Sequence, residues 1–255
     1  MTMPAGRAEL IAVEGSRLRI GPWHGSSTVG QVALIGDELP LSSGAVRGAV
    51  ARLVDLGYQS VNTGAVPELA TAPFLDAGFT VHERLHLLAH RLREVERPPR
   101  GATRRAKRSD RRAVLAVDHA AFEPFWRLDE VALEESLQAT PVSRFRVTEH
   151  DGVSGYAVFG WAADRGYLQR LAVRPDTWGH GLGELLVRDG LWWLQRKGAS
   201  SALVNTQESN ERGLRLYQRL GFVLEPHGLV VLEADLTRSG ATAPRWERAR
   251  GGEET

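Results

Sequence analysis

Three glycines alternate along Gly179-His180-Gly181-Leu182-Gly183, between a strand-like segment and one with helical periodicity. Such a run turns tightly and aims successive backbone N–H groups at one point. The dipole of the following helix adds positive potential there, so the segment suits a phosphate or pyrophosphate. A dinucleotide fingerprint would place glycine at 184 or 186, where Glu184 and Leu186 stand. A P-loop would end in Gly-Lys-Ser/Thr, and no lysine is near. Farther along, Asn210 opens a helical stretch closed by Gly221, with Tyr217 on it. Asn210 reads either as an N-cap or as a ligand contact. Tyr217 reads either as a core residue beside Leu216 and Leu220 or as a phenol that donates a proton in a partly dry site.

The elements that must hold these groups follow from periodicity. Arg111 to Phe122 forms a helix that buries Val114, Leu115 and Val117. Val142–Glu149 and Val153–Trp161 read as a hairpin turned by Asp151-Gly152, and Tyr167–Val173 as a third strand. The helix from Leu182 to about Lys197 gathers Leu182, Leu186, Val187, Leu191 and Leu194 on one arc and ends at Gly198. Ala202–Thr206 is a short buried strand, and Leu229–Leu236 a last one. This order predicts an α/β chain, more narrowly an α+β mixed sheet.

The pattern Leu171-Ala172-Val173-Arg174-Pro175, then Gly179-x-Gly181-x-Gly183, a helix, Asn210, Leu216-Tyr217 and Gly221-Phe222, resembles the GNAT superfamily of acyl-CoA-dependent N-acetyltransferases. The resemblance covers about residues 103–236. It implies a twisted mixed sheet whose strands Tyr167–Val173 and Ala202–Thr206 splay apart to admit acetyl-CoA as co-substrate. Backbone groups of Leu171, Ala172 and Val173 would then pair with the pantetheine arm and polarise the thioester carbonyl. Gly179, His180, Gly181, Leu182, Gly183 and Glu184 would hold the pyrophosphate, Asn210 would touch the cofactor or cap its helix, and Tyr217 would protonate the departing thiolate. The acceptor, a small-molecule amine or a peptide N-terminus, would be walled by Phe125 and Trp126, with Asn205 facing it. Two departures stand out: Trp178 replaces a frequent Arg or Gln, and Asn205 replaces a glutamate base found in several relatives. The base is left open among Glu149, His150, Glu208, His180, Glu123 and water. The departures keep a non-catalytic acyl-CoA-binding module as the alternative reading.

The first half echoes the second. Val61, Asn62, Thr63, Phe74, Gly78 and Phe79 all align at one offset with Val204, Asn205, Thr206, Tyr217, Gly221 and Phe222, the residue type differing where Phe74 faces Tyr217. The chain reads as a duplicated GNAT-like fold whose first copy lacks both the glycine cradle and the tyrosine. The expected organisation is a degenerate domain over 1–95, a linker over 96–102, an active domain over 103–236 and a polar tail over 237–255.

Composition agrees with two globular units: 255 residues, a net charge of +1 and 42% hydrophobic residues. Absence of cysteine excludes disulfides, thiolate nucleophiles and iron–sulfur ligation, and no metal site is expected. No apolar run reaches the ~18 residues of a membrane span, and Met1–Glu14 lacks a secretory pattern, so a cytoplasmic protein without a membrane partner is expected. Arg91 to Arg112 holds ten cations against three acids. Nucleic acid is not favoured as a partner, because Ala102–Lys107 supplies a strand with its arginines on the wet face.

Overall fold

The computed structural model describes residues 8–35 and 41–237. Two compact units divide the chain, Met1–Glu83 with Val230–Thr255, and Arg84–Leu229. In chain order the elements are β1 (Glu9–Val13), β2 (Ser16–Pro22), β3 (Val29–Leu34), α1 (Ser43–Asp55), β4 (Ser60–Thr63), β5 (Val66–Pro67), α2 (Ala72–Asp76) and β6 (Thr80–His90). There follow β7 (Arg104–Arg105), α3 (Arg111–Ala121), α4 (Glu130–Gln138), β8 (Val142–Glu149), β9 (Val153–Ala162), β10 (Arg165–Val173), α5 (Leu182–Arg196), β11 (Ser201–Gln207), α6 (Glu211–Arg219), β12 (Val223–Leu224) and β13 (Leu229–Asp235).

In the first unit β1, β2 and β3 form an antiparallel meander, β4 runs parallel to β3, and β13 pairs antiparallel with β4. In the second, β7, β8, β9 and β10 are antiparallel neighbours, β11 runs parallel to β10, and β6 pairs antiparallel with β11. Each unit thus runs through a meander, a helix, a parallel strand and a helix, and an antiparallel strand from elsewhere in the chain order closes each sheet. The aligned residues share local geometry. Gly78 and Gly221 sit at φ +92° and +87°, and the amides of Phe79 and Phe222 donate to the carbonyls of Phe74 and Tyr217, both at 3.0 Å.

The boundaries differ from those expected. The last strand, β13, expected to finish the second domain, closes the first on β4, and most of β6 closes the second on β11. Residues 96–102 are not a free connector: Glu96 pairs with Arg188 of α5, and the Arg97 guanidinium lies 5.5 Å from the centre of the Trp192 ring. The tail from residue 238 lies outside the described residues.

Local chemistry explains why the second unit's elements begin and end where they do. Asp151 and Gly152 both have positive φ (54° and 85°), the geometry that matches hairpin twist. The Asp129 carboxylate caps α4 by accepting from the Ala132 amide at 2.7 Å. Two apolar clusters sandwich the sheet. One joins α5 and α6 to Phe159, Leu168, Ala202 and Val204, the other joins α3 and α4 to Val147, Tyr156, Val158 and Ala172. Gly190 lets α5 press directly onto β9, because a Cβ there would lie 2.0 Å from a ring carbon of the fully buried Phe159. Gly190→Ala is therefore expected to destabilise the protein by about 1–3 kcal/mol from overpacking. That would outweigh alanine's ~1 kcal/mol advantage in a helix. A lower urea midpoint is the check, and an unchanged one would count against this close approach.

His90 ends β6 as a buried neutral imidazole. Its Nδ1 accepts from the Leu92 amide at 2.9 Å, and the ring also hydrogen-bonds the Leu220 backbone. Burial holds its pKa below the ordinary 6.5. As pH falls, the unfolded chain takes up this proton first, so the group's contribution is complete above about pH 6.5 and is lost below it. The unfolding free energy should fall between about pH 7.5 and 5, and fall less steeply in His90→Gln. Equal slopes in both proteins would refute the assignment.

Candidate active site

At the head of α5, Gly179 (φ +87°) and Gly181 (φ +74°) adopt left-handed conformations that side chains strain to reach, and nothing lies within 4 Å of where their Cβ atoms would stand. Gly181 is the N-cap and supplies no side-chain acceptor, so the first-turn amides beginning at Leu182, Gly183 and Glu184 keep their anion-binding capacity. Gly183 packs the turn tightly, its Cβ position 3.3 Å from Leu216 and 3.7 Å from Val173. The exposed His180 ring stacks on His150 with centroids 5.2 Å apart, and its Nδ1 lies 3.1 Å from the Thr177 carbonyl. Glu184 accepts from Arg188 at 2.9 Å.

Strands β10 and β11 pair only from Arg165↔Ser201 to Tyr167↔Leu203. Beyond that point β10 continues on β9 and β11 continues on β6, so their facing edges open between Leu168–Val173 and Val204–Gln207. A bulge at Gln169 shifts the register between Leu168 and Arg170. The extra residue reverses the alternation. Leu168 joins the α5-side core, whereas Ala172 joins the α3-side core and Arg170 reaches Asp118 on α3. With the Arg174 amide donating to Ser154 at 2.8 Å, ladder alternation turns the backbone of Ala172 toward β9 and leaves Leu171 and Val173 on the open edge. The Val173 carbonyl accepts from the Trp178 indole at 2.9 Å.

Tyr217 is buried on α6, its ring edge-on to Phe222 at 5.6 Å. Among the described residues its hydroxyl makes no hydrogen bond. Burial pushes its pKa well up, and the positive charge of Arg170 pulls it partly back. The Asn210 side chain caps α6 by accepting from the Gly213 amide at 2.9 Å and also donates to Thr206 at 2.9 Å. Each end of this amide thus makes one structural hydrogen bond.

On the α3 side lies a network that the sequence reading missed. Asp118, fully buried, accepts from the Tyr156 hydroxyl at 2.5 Å, the Arg170 guanidinium at 2.8 Å and the Leu128 amide at 2.8 Å. Arg170 also donates to the Trp126 carbonyl at 2.6 Å and sits 3.5 Å from the centre of the Phe122 ring. The loop from Phe122 to Asp129 is thereby clamped to the bulged strand, with Phe125 edge-on to Trp126 at 5.0 Å. A signal was present: Val114, Val117, Asp118 and Ala121 share a helical stripe, and an acid on a buried stripe needs a partner. Asn205 is exposed on β11, opposite Leu87 in register, and its alternation with the buried Val204 and Thr206 places it on the α3 side of the sheet. Of the candidate bases, Glu149 is held by Arg104 at 2.6 Å, which lowers its pKa. Among the described residues no group of three or more His, Asp or Glu could hold a metal, and no helix is long and apolar enough to cross a membrane.

Residues 112–222 match the acetyltransferase (GNAT) family model. The chain is 33% identical over 146 residues to a mycothiol acetyltransferase of Saccharopolyspora erythraea, a match covering 51% of this chain and 46% of that protein. It is 26% identical over 131 residues to a Bacillus subtilis protein named for N-acetylation of an alanine of ribosomal protein bS18, covering 51% and 84%. Among solved structures, a tandem GNAT protein from the clavulanic acid biosynthesis pathway superposes with a TM-score of 0.62 at 15% identity, over 87% of this chain and 79% of that one. This last likeness concerns the fold alone. The matched segment spans less than half the length of the mycothiol acetyltransferase.

Proposed function

We propose, from the match of residues 112–222 to the acetyltransferase (GNAT) family model, that the chain transfers an acetyl group from acetyl-CoA to a primary amine of a small molecule or a peptide N-terminus. One coincidence carries the reading: a single unit combines an open strand edge, an uncapped glycine cradle and a buried phenol. The residues fit acyl-CoA, because the cradle offers amides where no Cβ intrudes and the edge offers unpaired backbone to an extended arm. When bound, acyl-CoA supplies an activated thioester.

The chain's own residues do the rest. The backbone from Gly179 to Glu184 binds diphosphate charge with help from the α5 dipole. The edge at Leu171 and Val173 orients the acyl arm, and an N–H there polarises the carbonyl. Tyr217 holds its proton at the hydroxyl through the working pH range and releases it to the departing thiolate. Asn210 acts by fixing the start of α6, and hence Tyr217, rather than by touching the ligand. The acceptor amine enters beside Phe125, Trp126 and Asn205 and loses its proton to water or to a nearby side chain. That one relative is named for alanine N-acetylation supports an amine acceptor.

The test is thiol release from acetyl-CoA with the purified chain against amines, aminoglycosides and N-terminal peptides. Release that depends on one acceptor class supports the proposal. Acetyl-CoA binding without release across the panel favours the non-catalytic module instead.

A further inference from the structure

We propose that Arg212, held on the face of Trp178, is the side-chain cation that completes the phosphate cradle of the second unit. The proposal rests on the acyl-CoA reading above and names a residue that reading does not contain.

Trp178 directly precedes Gly179. Its indole N–H is spent on the Val173 carbonyl at 2.9 Å, which fixes the ring, while the residue stays 40% exposed. Over that ring lies the Arg212 guanidinium, 3.9 Å from the centroid. A cation over the ring face spends none of its N–H donors on a hydrogen-bond acceptor there.

The other cations around the cradle are already matched to acids. Arg174 pairs with Asp176 at 2.6 Å, Arg188 pairs with Glu184 and Glu96, and Arg215 pairs with Glu211 at 2.8 Å. Among the described residues Arg212 has no carboxylate partner, since its neighbour Glu211 is engaged by Arg215. Arg212 is also the second residue of α6, where the helix dipole disfavours positive charge. A cation kept unpaired, at the wrong end of a helix and stacked beside an uncapped glycine turn is explained by an anion that all three features bind together. The class of ligand is a phosphate or diphosphate ester, and a guanidinium grips it with two parallel donors.

The experiment is isothermal titration of the full chain with acetyl-CoA, and separately competition of that binding by inorganic pyrophosphate. Arg212→Ala is expected to weaken acetyl-CoA about tenfold or more and to blunt competition by pyrophosphate. Trp178→Ala should lose at least as much, because it also releases the Val173 carbonyl, and the double variant should lose little beyond Trp178→Ala alone, because without the ring the guanidinium is no longer held. Arg212→Lys keeps the charge but not the stacked plane, and should fall between native and alanine. Equal urea midpoints of native and variants show that folding is not what changed. Native-like affinity in Arg212→Ala would overturn this proposal while leaving the acyl-CoA reading intact. Failure of the native chain to bind acetyl-CoA would overturn both.

Discussion

Tyr217→Phe is expected to lower kcat for acetyl transfer by about 10²-fold or more while leaving acetyl-CoA affinity nearly unchanged. The phenylalanine ring occupies the same buried space against Phe222, so the substitution deletes one oxygen and little packing. Among the described residues that oxygen has no hydrogen-bond partner, so stability should hold as well. The pH dependence follows from the direction of the shift. Burial raises the Tyr217 pKa above its ordinary 10, so the proton is retained through neutral and mildly alkaline pH. No loss of rate from this group is then expected on the alkaline side below about pH 10. Initial rates with a competent acceptor, with affinity measured in parallel, decide the matter. A Tyr217→Phe protein that turns over at the native rate would remove the phenol from the reaction, and α6 would then matter only for packing.

The second large effect is on the clamp. Asp118→Ala should cost about 3–5 kcal/mol, because it strands the Arg170 guanidinium in a largely buried site and leaves the Leu128 amide and the Tyr156 hydroxyl without their acceptor. A drop in Tm of roughly 6–20 °C corresponds to that loss. Asp118→Asn keeps the shape and one acceptor, so it should fall less. The clamp also predicts a kinetic signature that lost stability alone would not give. Arg170 and Asp118 together fix Trp126 and Leu128, so below its Tm Asp118→Asn should raise KM for the acceptor more than KM for acetyl-CoA. An Asp118→Ala protein with native Tm would show that the buried pair is not what holds the loop.

Much of the second unit was legible because its signals are local. The glycine turn, the Asp151-Gly152 hairpin, the Asn210 cap and the periodic α5 each depend on residues within a few positions of one another. Their backbone chemistry therefore reads the same in the sequence as in the fold. The repeat was legible for a related reason. Phe74 and Phe79, like Tyr217 and Phe222, sit five residues apart around a left-handed glycine, and that spacing produces the same helix exit twice. Helix α4 was not among the expected elements although Asp129 caps its start, because the aromatic run from Phe122 to Trp126 before it carries no helical period.

Partner choice across long stretches of chain was not legible. Nothing local in Leu229–Asp235 says that it will close the first unit on β4 rather than finish the second, since a strand edge accepts any strand of compatible register. The bulge at Gln169 is likewise invisible in the sequence, yet it decides that Arg170 meets Asp118, fifty-two residues away, instead of joining Leu168 on the other face. Trp178 and Arg212 belong together only once α5 and α6 have packed. By itself the sequence determined which groups could do chemistry and the elements that carry them, because those follow from residue type and short-range period. Which groups face one another was decided by the tertiary structure, because side-chain pairing depends on strand register and on helix packing between distant segments.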